Sequence, residues 1–135
     1  LLTMGSGSVR KDGEVVGFAV AVEGWKGYFP IAHEGNGNID RAIVIDWMQE
    51  ILDTPATKVF HNAMYDVSWL RSMNFTINGR IVDTMIAASL VNENRVSFTL
   101  DSISKEYIGL GKNENILKDA AKLWGVNPKA EICRT

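Results

Sequence analysis

The apolar positions of this chain change period several times, and each change marks an element. Val15-Val16-Gly17-Phe18-Ala19-Val20-Ala21-Val22 is β-branched and nearly continuous in apolar character, which predicts a strand buried on both faces. Glu23-Gly24 is a turn signal. Trp25 to Ile31 is expected to return antiparallel, at an edge because Pro30 cannot donate to a central ladder. The glycine- and asparagine-rich stretch His33 to Asn38 reads as a loop, with Asn38 a candidate cap for a helix from Ile39 to Leu52. That helix would bury Ile39, Ile43, Trp47 and Ile51, expose Asp40 and Arg41, and stop before Pro55.

Lys58 to Phe60 is then a short buried strand, and Ala63 to Met73 a helix with Met64, Val67 and Leu70 at helical spacing. Arg80 to Val82 is another short strand, and Asp83 opens a helix reaching Leu90, its carboxylate at the positive helix end. Helical patterning resumes at Ser97, with Leu100, Ile103 and Tyr107 spaced as a core-facing stripe. It breaks at Gly109-Leu110-Gly111 and returns from Glu114 to Trp124, where Gly125 caps it. Residues 1–13 hold Gly5, Gly7 and Gly13 among Ser6, Ser8 and Lys11 and read as a flexible loop. A hairpin followed by alternating helices and strands predicts an α/β fold with a mixed sheet, one domain over residues 1–135.

Composition narrows the class. With 135 residues, 46% hydrophobic and 22% charged, the chain can bury a core as one globular domain. Its single cysteine, Cys133, excludes an internal disulfide framework and fits a reducing cytoplasm. No apolar run reaches the length of a membrane span, so the expected location is cytoplasmic. The net charge of -2 supplies no bulk basic field for duplex DNA, so any nucleic-acid contact must be local.

Candidate chemistry concentrates in Phe60-His61-Asn62-Ala63-Met64-Tyr65-Asp66, where an amide, an aromatic ring and a carboxylate stand at a strand-to-helix junction. Asn62 and Asp66 are four apart and face the same way if Asn62 opens the helix. Each residue also has an ordinary structural reading. Asn62 caps the helix, contributing about 1 kcal/mol; Asp66 is a dipole-stabilised surface acid; Tyr65 is a core aromatic; His61 is a hydrogen-bonded histidine at a strand end. Asp83, with Thr84 beside it, reads as a cap making a buried structural bond rather than as a partner carboxylate of Asp66. Lys105 and Lys112 read as solvated, though within reach of a phosphate backbone.

This run, followed by Asp83-Thr84-Met85, Phe98-Thr99-Leu100-Asp101-Ser102-Ile103 and Tyr107-Ile108-Gly109, resembles the proofreading domain of bacterial and phage family A (DNA polymerase I-type) enzymes, members of the DEDD 3'-5' exonucleases, over residues 14–110. The resemblance implies a ribonuclease H-like fold, a two-metal hydrolysis of single-stranded DNA 3' ends with Mg2+ or Mn2+, and a polymerase module in the full-length protein. It makes Asp66 a catalytic metal ligand and Asn62 and Tyr65 substrate contacts, the ring stacking on the terminal nucleotide. It leaves His61 and Asp83 as structural residues near the site. The nearest enzyme alternative is a ribonuclease D-like 3'-5' exoribonuclease built on the same acids.

Two signatures of the resembled family are not found: an Asp-x-Glu pair on the first strand, and a Tyr-x-x-x-Asp group on a late helix. Asp12-Gly13-Glu14 has the letters but precedes the first expected strand, and Tyr107 is followed four residues later by Gly111. The chain starts at Leu1-Leu2 and stops at Arg134-Thr135, and the resemblance begins just after the first motif and ends just before the third. A fragment lacking the first strand, and inactive alone, is the expectation; a degenerate exonuclease fold kept for nucleic-acid binding or as a scaffold is the alternative. In the resembled fold the missing strand lies between the hairpin and the Lys58 strand. Its loss predicts a separation in the sheet, a partner chain such as a second copy, or a rearranged Leu1 to Val9 segment.

Overall fold

A computed structural model describes residues 2–4, 13–111 and 115–125, so that Leu1, Lys112, Glu114, Cys133 and Arg134-Thr135 lie outside the described residues. The elements in chain order are β1 (Leu2–Met4), β2 (Glu14–Val22), β3 (Trp25–Pro30), α1 (Arg41–Asp53), β4 (Lys58–Phe60), α2 (Ala63–Ser72), β5 (Ile81–Asp83), α3 (Thr84–Val91), α4 (Leu100–Ile108) and α5 (Asn115–Trp124). This is a mixed α/β chain with two small sheets, β1-β2-β3 and β4-β5. It folds as two compact units, residues 1–51 with 115–135, and residues 52–114.

In the first unit β2 and β3 form the expected hairpin, with Phe18 opposite Phe29 and Val22 opposite Trp25, turning at Gly24 with φ 77°. The segment expected to be a loop carries β1, which pairs antiparallel with the leading half of β2, Thr3 opposite Val15 and Met4 opposite Glu14. Burial along β2 departs from expectation. Val15, Val16 and Phe18 are buried, whereas Val22, beyond the reach of β1, is 64% exposed. The strand is buried on both faces only in its first half.

Helix α1 starts two residues later than expected, because Asp40 and not Asn38 receives an early helical amide, that of Ala42 at 2.8 Å. Asn38 instead closes the preceding loop on itself: its Oδ1 accepts from the His33 amide (2.9 Å) and its Nδ2 donates to the His33 carbonyl (2.8 Å). The buried row of α1 is Val44, Met48 and Leu52, one position on from the expected stripe, while Ile43 is exposed. Both rows are apolar, so periodicity alone cannot set the phase. Trp47 lies on the border, its ring 4.4 Å from that of Phe29.

The second unit is built on the parallel pair β4–β5, with Lys58 opposite Ile81, Val59 opposite Val82 and Phe60 opposite Asp83. Lys58 is buried, and its ammonium donates to the Thr54 carbonyl, to Thr54 Oγ1 (3.2 Å) and to the Asn78 carbonyl (2.9 Å). A buried charge is tolerable only with such partners, and these fasten the start of β4 to the turn that precedes β5. That turn requires Gly79: its φ is 79°, and a Cβ there would fall 2.7 Å from the Ala56 carbonyl oxygen. Trp69 and Leu70 of α2, Ala88 of α3 and Phe75 in the loop after α2 are buried in this unit.

Helix α4 departs from its expected role. It begins at Leu100, capped by Thr99, which accepts from the Ser102 amide at 3.3 Å. No residue of α4 is buried, and Leu100 and Tyr107 are more than half exposed, so its apolar stripe is not a core face. Arg95 ties the preceding segment to the helix: it donates to Ser97 O (3.3 Å) and Ser102 Oγ (3.4 Å), pairs with Glu106, and lies 5.9 Å from the Tyr107 ring centre. Lys105 is not simply solvated, since its ammonium reaches Asp101 Oδ2 at 2.6 Å. No helix among the described residues is long and apolar enough to cross a membrane.

Candidate active site

The β4–β5 register decides the geometry of the junction. Setting Phe60 opposite Asp83 brings the start of α2 beside the start of α3. Asn62 enters α2 in the left-handed region, φ 65° and ψ 59°, and its side chain makes no capping hydrogen bond. The amide groups it leaves are taken by Asp83. Oδ1 of Asp83 accepts from the Asn62 amide (3.0 Å) and the Met85 amide (2.9 Å), and Oδ2 accepts from the Ala63 amide (2.8 Å). One carboxylate therefore serves the N-termini of two helices, where unpaired N–H groups and the helix dipoles favour an anion. Burial alone would raise the Asp83 pKa, but the amides of Ala63, Met85, Asn62 and Ile86 outweigh it and hold the group below its ordinary 3.8.

His61 is held at both ring nitrogens. Nδ1 lies 3.0 Å from Thr84 Oγ1, and Nε2 lies 2.9 Å from the Phe98 carbonyl, to which it donates. Thr84 Oγ1 in turn lies 3.0 Å from the Phe60 carbonyl. The ring thus fastens the segment before α4 to the end of β4 and to the start of α3, a structural placement with no nitrogen directed elsewhere. Thr84 and the Phe98 carbonyl were not singled out in the sequence as its partners. The Asp83-Thr84 doublet was a local signal for the cap, but the meeting with His61 depends on the non-local strand register.

Asp66 lies in the first turn of α2, half-buried. Burial raises its pKa above the ordinary 3.8, with the charge of Asp83 acting in the same direction and His61 against it. The Tyr65 ring makes an edge contact with buried Trp69, centres 6.5 Å apart, and 37% of the residue is exposed, so it is not a core aromatic. Asn62 is exposed. A groove of about 490 Å³ along the β2–β3 hairpin is lined by Ala19, Val20, Ala21, Lys26, Gly27 and Tyr28, and includes none of these residues.

Hydrolysis through two divalent ions requires several hard carboxylate ligands around them. Among the described residues no group of three or more His, Cys, Asp or Glu side chains converges, and the oxygens of Asp83 are already engaged by amides. These residues do not by themselves make a two-ion site.

Residues 3–132, which include the junction bearing Asn62, Tyr65 and Asp66 and the capped Asp83 helix, match the family model described as 3'-5' exonuclease. The chain belongs to this 3'-5' exonuclease family, that of the family A DNA polymerases. It is 34% identical over 80 residues (58% of the chain) to the DNA polymerase DpoZ of Salmonella phage PMBT28. It is 31% identical over 87 residues (64% of the chain) to the DpoZ polymerase of Acinetobacter phage SH-Ab 15497. With the DNA-directed DNA polymerase of Pseudomonas phage M6 it shares 30% identity over 142 residues, 98% of the chain. The matched segments are 13%, 14% and 21% of the length of these three relatives.

Proposed function

We propose that this chain is part of the proofreading 3'-5' exonuclease of a phage or bacterial DNA polymerase, on a ribonuclease H-like sheet. In this reading Asp66 is a ligand for Mg2+ or Mn2+, Asn62 and Tyr65 meet the 3' end of single-stranded DNA, and His61 and Asp83 are structural. The remaining metal-holding acids and the polymerase module belong to the rest of the full-length protein, which acts in the cytoplasm. The observation that carries the proposal is the position of Asp66 in the first turn of the helix following parallel strand β4. Ligands of open α/β sheets collect beyond the carboxyl ends of their strands. Perturbed carboxylates gather at functional sites, and the raised pKa of Asp66 fits that pattern.

One observation favours a second reading, a non-catalytic domain that binds nucleic acid. Strand β1 pairs with β2 on the side away from β3, and Leu2-Thr3-Met4 carries no carboxylate. The test is to incubate the 135-residue chain and the full-length protein with labelled single-stranded DNA and Mg2+ or Mn2+. Cleavage by the full-length protein only, lost on Asp66→Ala, supports the exonuclease. Binding without cleavage by both supports the second reading, and preferential cleavage of an RNA oligonucleotide would move the assignment to a ribonuclease. Robust Asp66-dependent cleavage by the short chain would overturn its expected inactivity and direct attention to Asp83.

A further inference from the structure

We propose that Asp83 is a positioning residue for the exonuclease site: its carboxylate, by bridging the starts of α2 and α3, holds Asn62 in its left-handed conformation and sets the turn that carries Asp66. This rests on the reading that Asn62 and Asp66 meet substrate and metal. A helix entry ordinarily takes its own cap side chain as the acceptor for its first amides. Here the entry residue could act as such a cap, yet its carboxamide makes no cap bond, and the acceptor comes from the neighbouring strand. A non-glycine residue persists in the left-handed region only where its surroundings over-determine it. Asn62 meets that condition: its amide donates to Asp83, its carbonyl accepts from Tyr65 N at 3.0 Å, and the residue before it is pinned through both ring nitrogens of His61. The division of labour leaves the Asn62 carboxamide outside the helix, on the exposed side of the junction.

The test uses the full-length polymerase and Asp83→Asn. This change keeps the size of the side chain but turns one oxygen into an NH2 group facing an amide donor, so one helix start loses its acceptor. At a temperature where circular dichroism shows the variant folded, exonuclease kcat per folded molecule should fall about a hundredfold, the loss that a misplacement of about 1 Å can cause. KM for a single-stranded oligonucleotide should rise, and polymerisation by the same protein should be unchanged. In 15N-labelled protein the Asn62, Ala63 and Met85 amide resonances should shift together in Asp83→Asn, a readout that does not depend on activity. Unchanged kcat and KM in folded Asp83→Asn, or resonance shifts confined to one of these three amides, would overturn the positioning role. Asp66→Ala, assayed in parallel, separates the two failures: if cleavage survives it, the site reading itself is wrong.

Discussion

The two strands of the parallel pair end in the same way and use their carboxylates in opposite ways. At the end of β5, Asp83 accepts from the amides of two helix starts, and those bonds hold its pKa below 3.8. Past the end of β4, Asp66 sits in the first turn of α2, where burial raises its pKa above the same value. Folding favours the anion at one position and opposes it at the other. A carboxylate whose charge is stabilised by fixed amides is part of the scaffold. Burial works against the charge of the other, and perturbed carboxylates of that kind gather at functional sites.

The largest effect should separate the two acids by activity. In the full-length protein Asp66→Ala is expected to lower exonuclease turnover by at least about a hundredfold, since changes to partners of metal ligands already cause losses of about 10- to 100-fold. Its thermal unfolding midpoint should hardly change, because the variant removes a charge that burial disfavours. Gel-based cleavage of a labelled oligonucleotide and a melting curve on the same sample check both halves. A large drop in stability with activity retained would reverse the roles assigned to Asp66 and Asp83.

Asp83→Ala should do the opposite first. It leaves the Asn62, Ala63 and Met85 amides without their carboxylate, and loss of a single cap typically costs about 1 kcal/mol. With two helix starts affected, urea unfolding should show a loss of about 2 to 3 kcal/mol. A loss of only a few tenths would mean that water replaces the carboxylate, and the bridge would then have no structural weight.

How far this contrast was legible in the chain depends on how local its causes are. The Val15 to Val22 run, the turn at Gly24, the strand at Lys58, the Thr99 to Gly109 helix limits and the capping role of Asp83 rest on neighbouring residues, and patterning located them or came within a few positions. The phase of α1 was not legible, since Ile43 and Val44 are equally apolar and only packing chooses between them. Nor was β1, because a three-residue strand beside glycines takes its stability from its pairing with β2. Burial of Lys58 was hidden for the same reason: its oxygen partners on Thr54 and Asn78 come from a loop closure that no local pattern records. Asp83 showed as a cap of its own helix, but its hold on α2 follows from the Phe60–Asp83 register, a non-local fact.

The pH dependence of stability gives a smaller and sharper test, because the two acids contribute with opposite signs. The lowered pKa of Asp83 means that its contribution is present above 3.8 and is lost as pH falls through the folded-state value below it. The raised pKa of Asp66 means that its contribution is fully present below 3.8 and is lost as pH rises through the folded-state value above it. Urea midpoints measured across this range should therefore show Asp83→Asn flattening the slope on the acid side of 3.8, and Asp66→Asn flattening it on the other side. The same slope removed by both variants would mean that the two carboxylates titrate as one coupled pair, and the contrast between them would fall.

The smallest effect concerns Asn62, whose amide donates to Asp83 and which stands four residues before Asp66. The left-handed conformation costs an L-residue about 1 to 2 kcal/mol, less for asparagine, whereas glycine adopts it freely but loses roughly 0.5 to 1 kcal/mol more in backbone entropy on folding. Since the carboxamide makes no cap bond, Asn62→Gly removes the strain without removing a helix contact. The two terms nearly offset, so the net change in stability should be within about 0.5 kcal/mol, in the stabilising direction if the strain term leads. Oligonucleotide binding to the same variant, followed by fluorescence anisotropy, should nevertheless weaken, because the side chain held outside the helix is gone. A loss of stability beyond about 1 kcal/mol, the size of a cap bond, with unchanged oligonucleotide affinity would show that the carboxamide had been holding the helix start itself. Asp83 would then not be the anchor of α2.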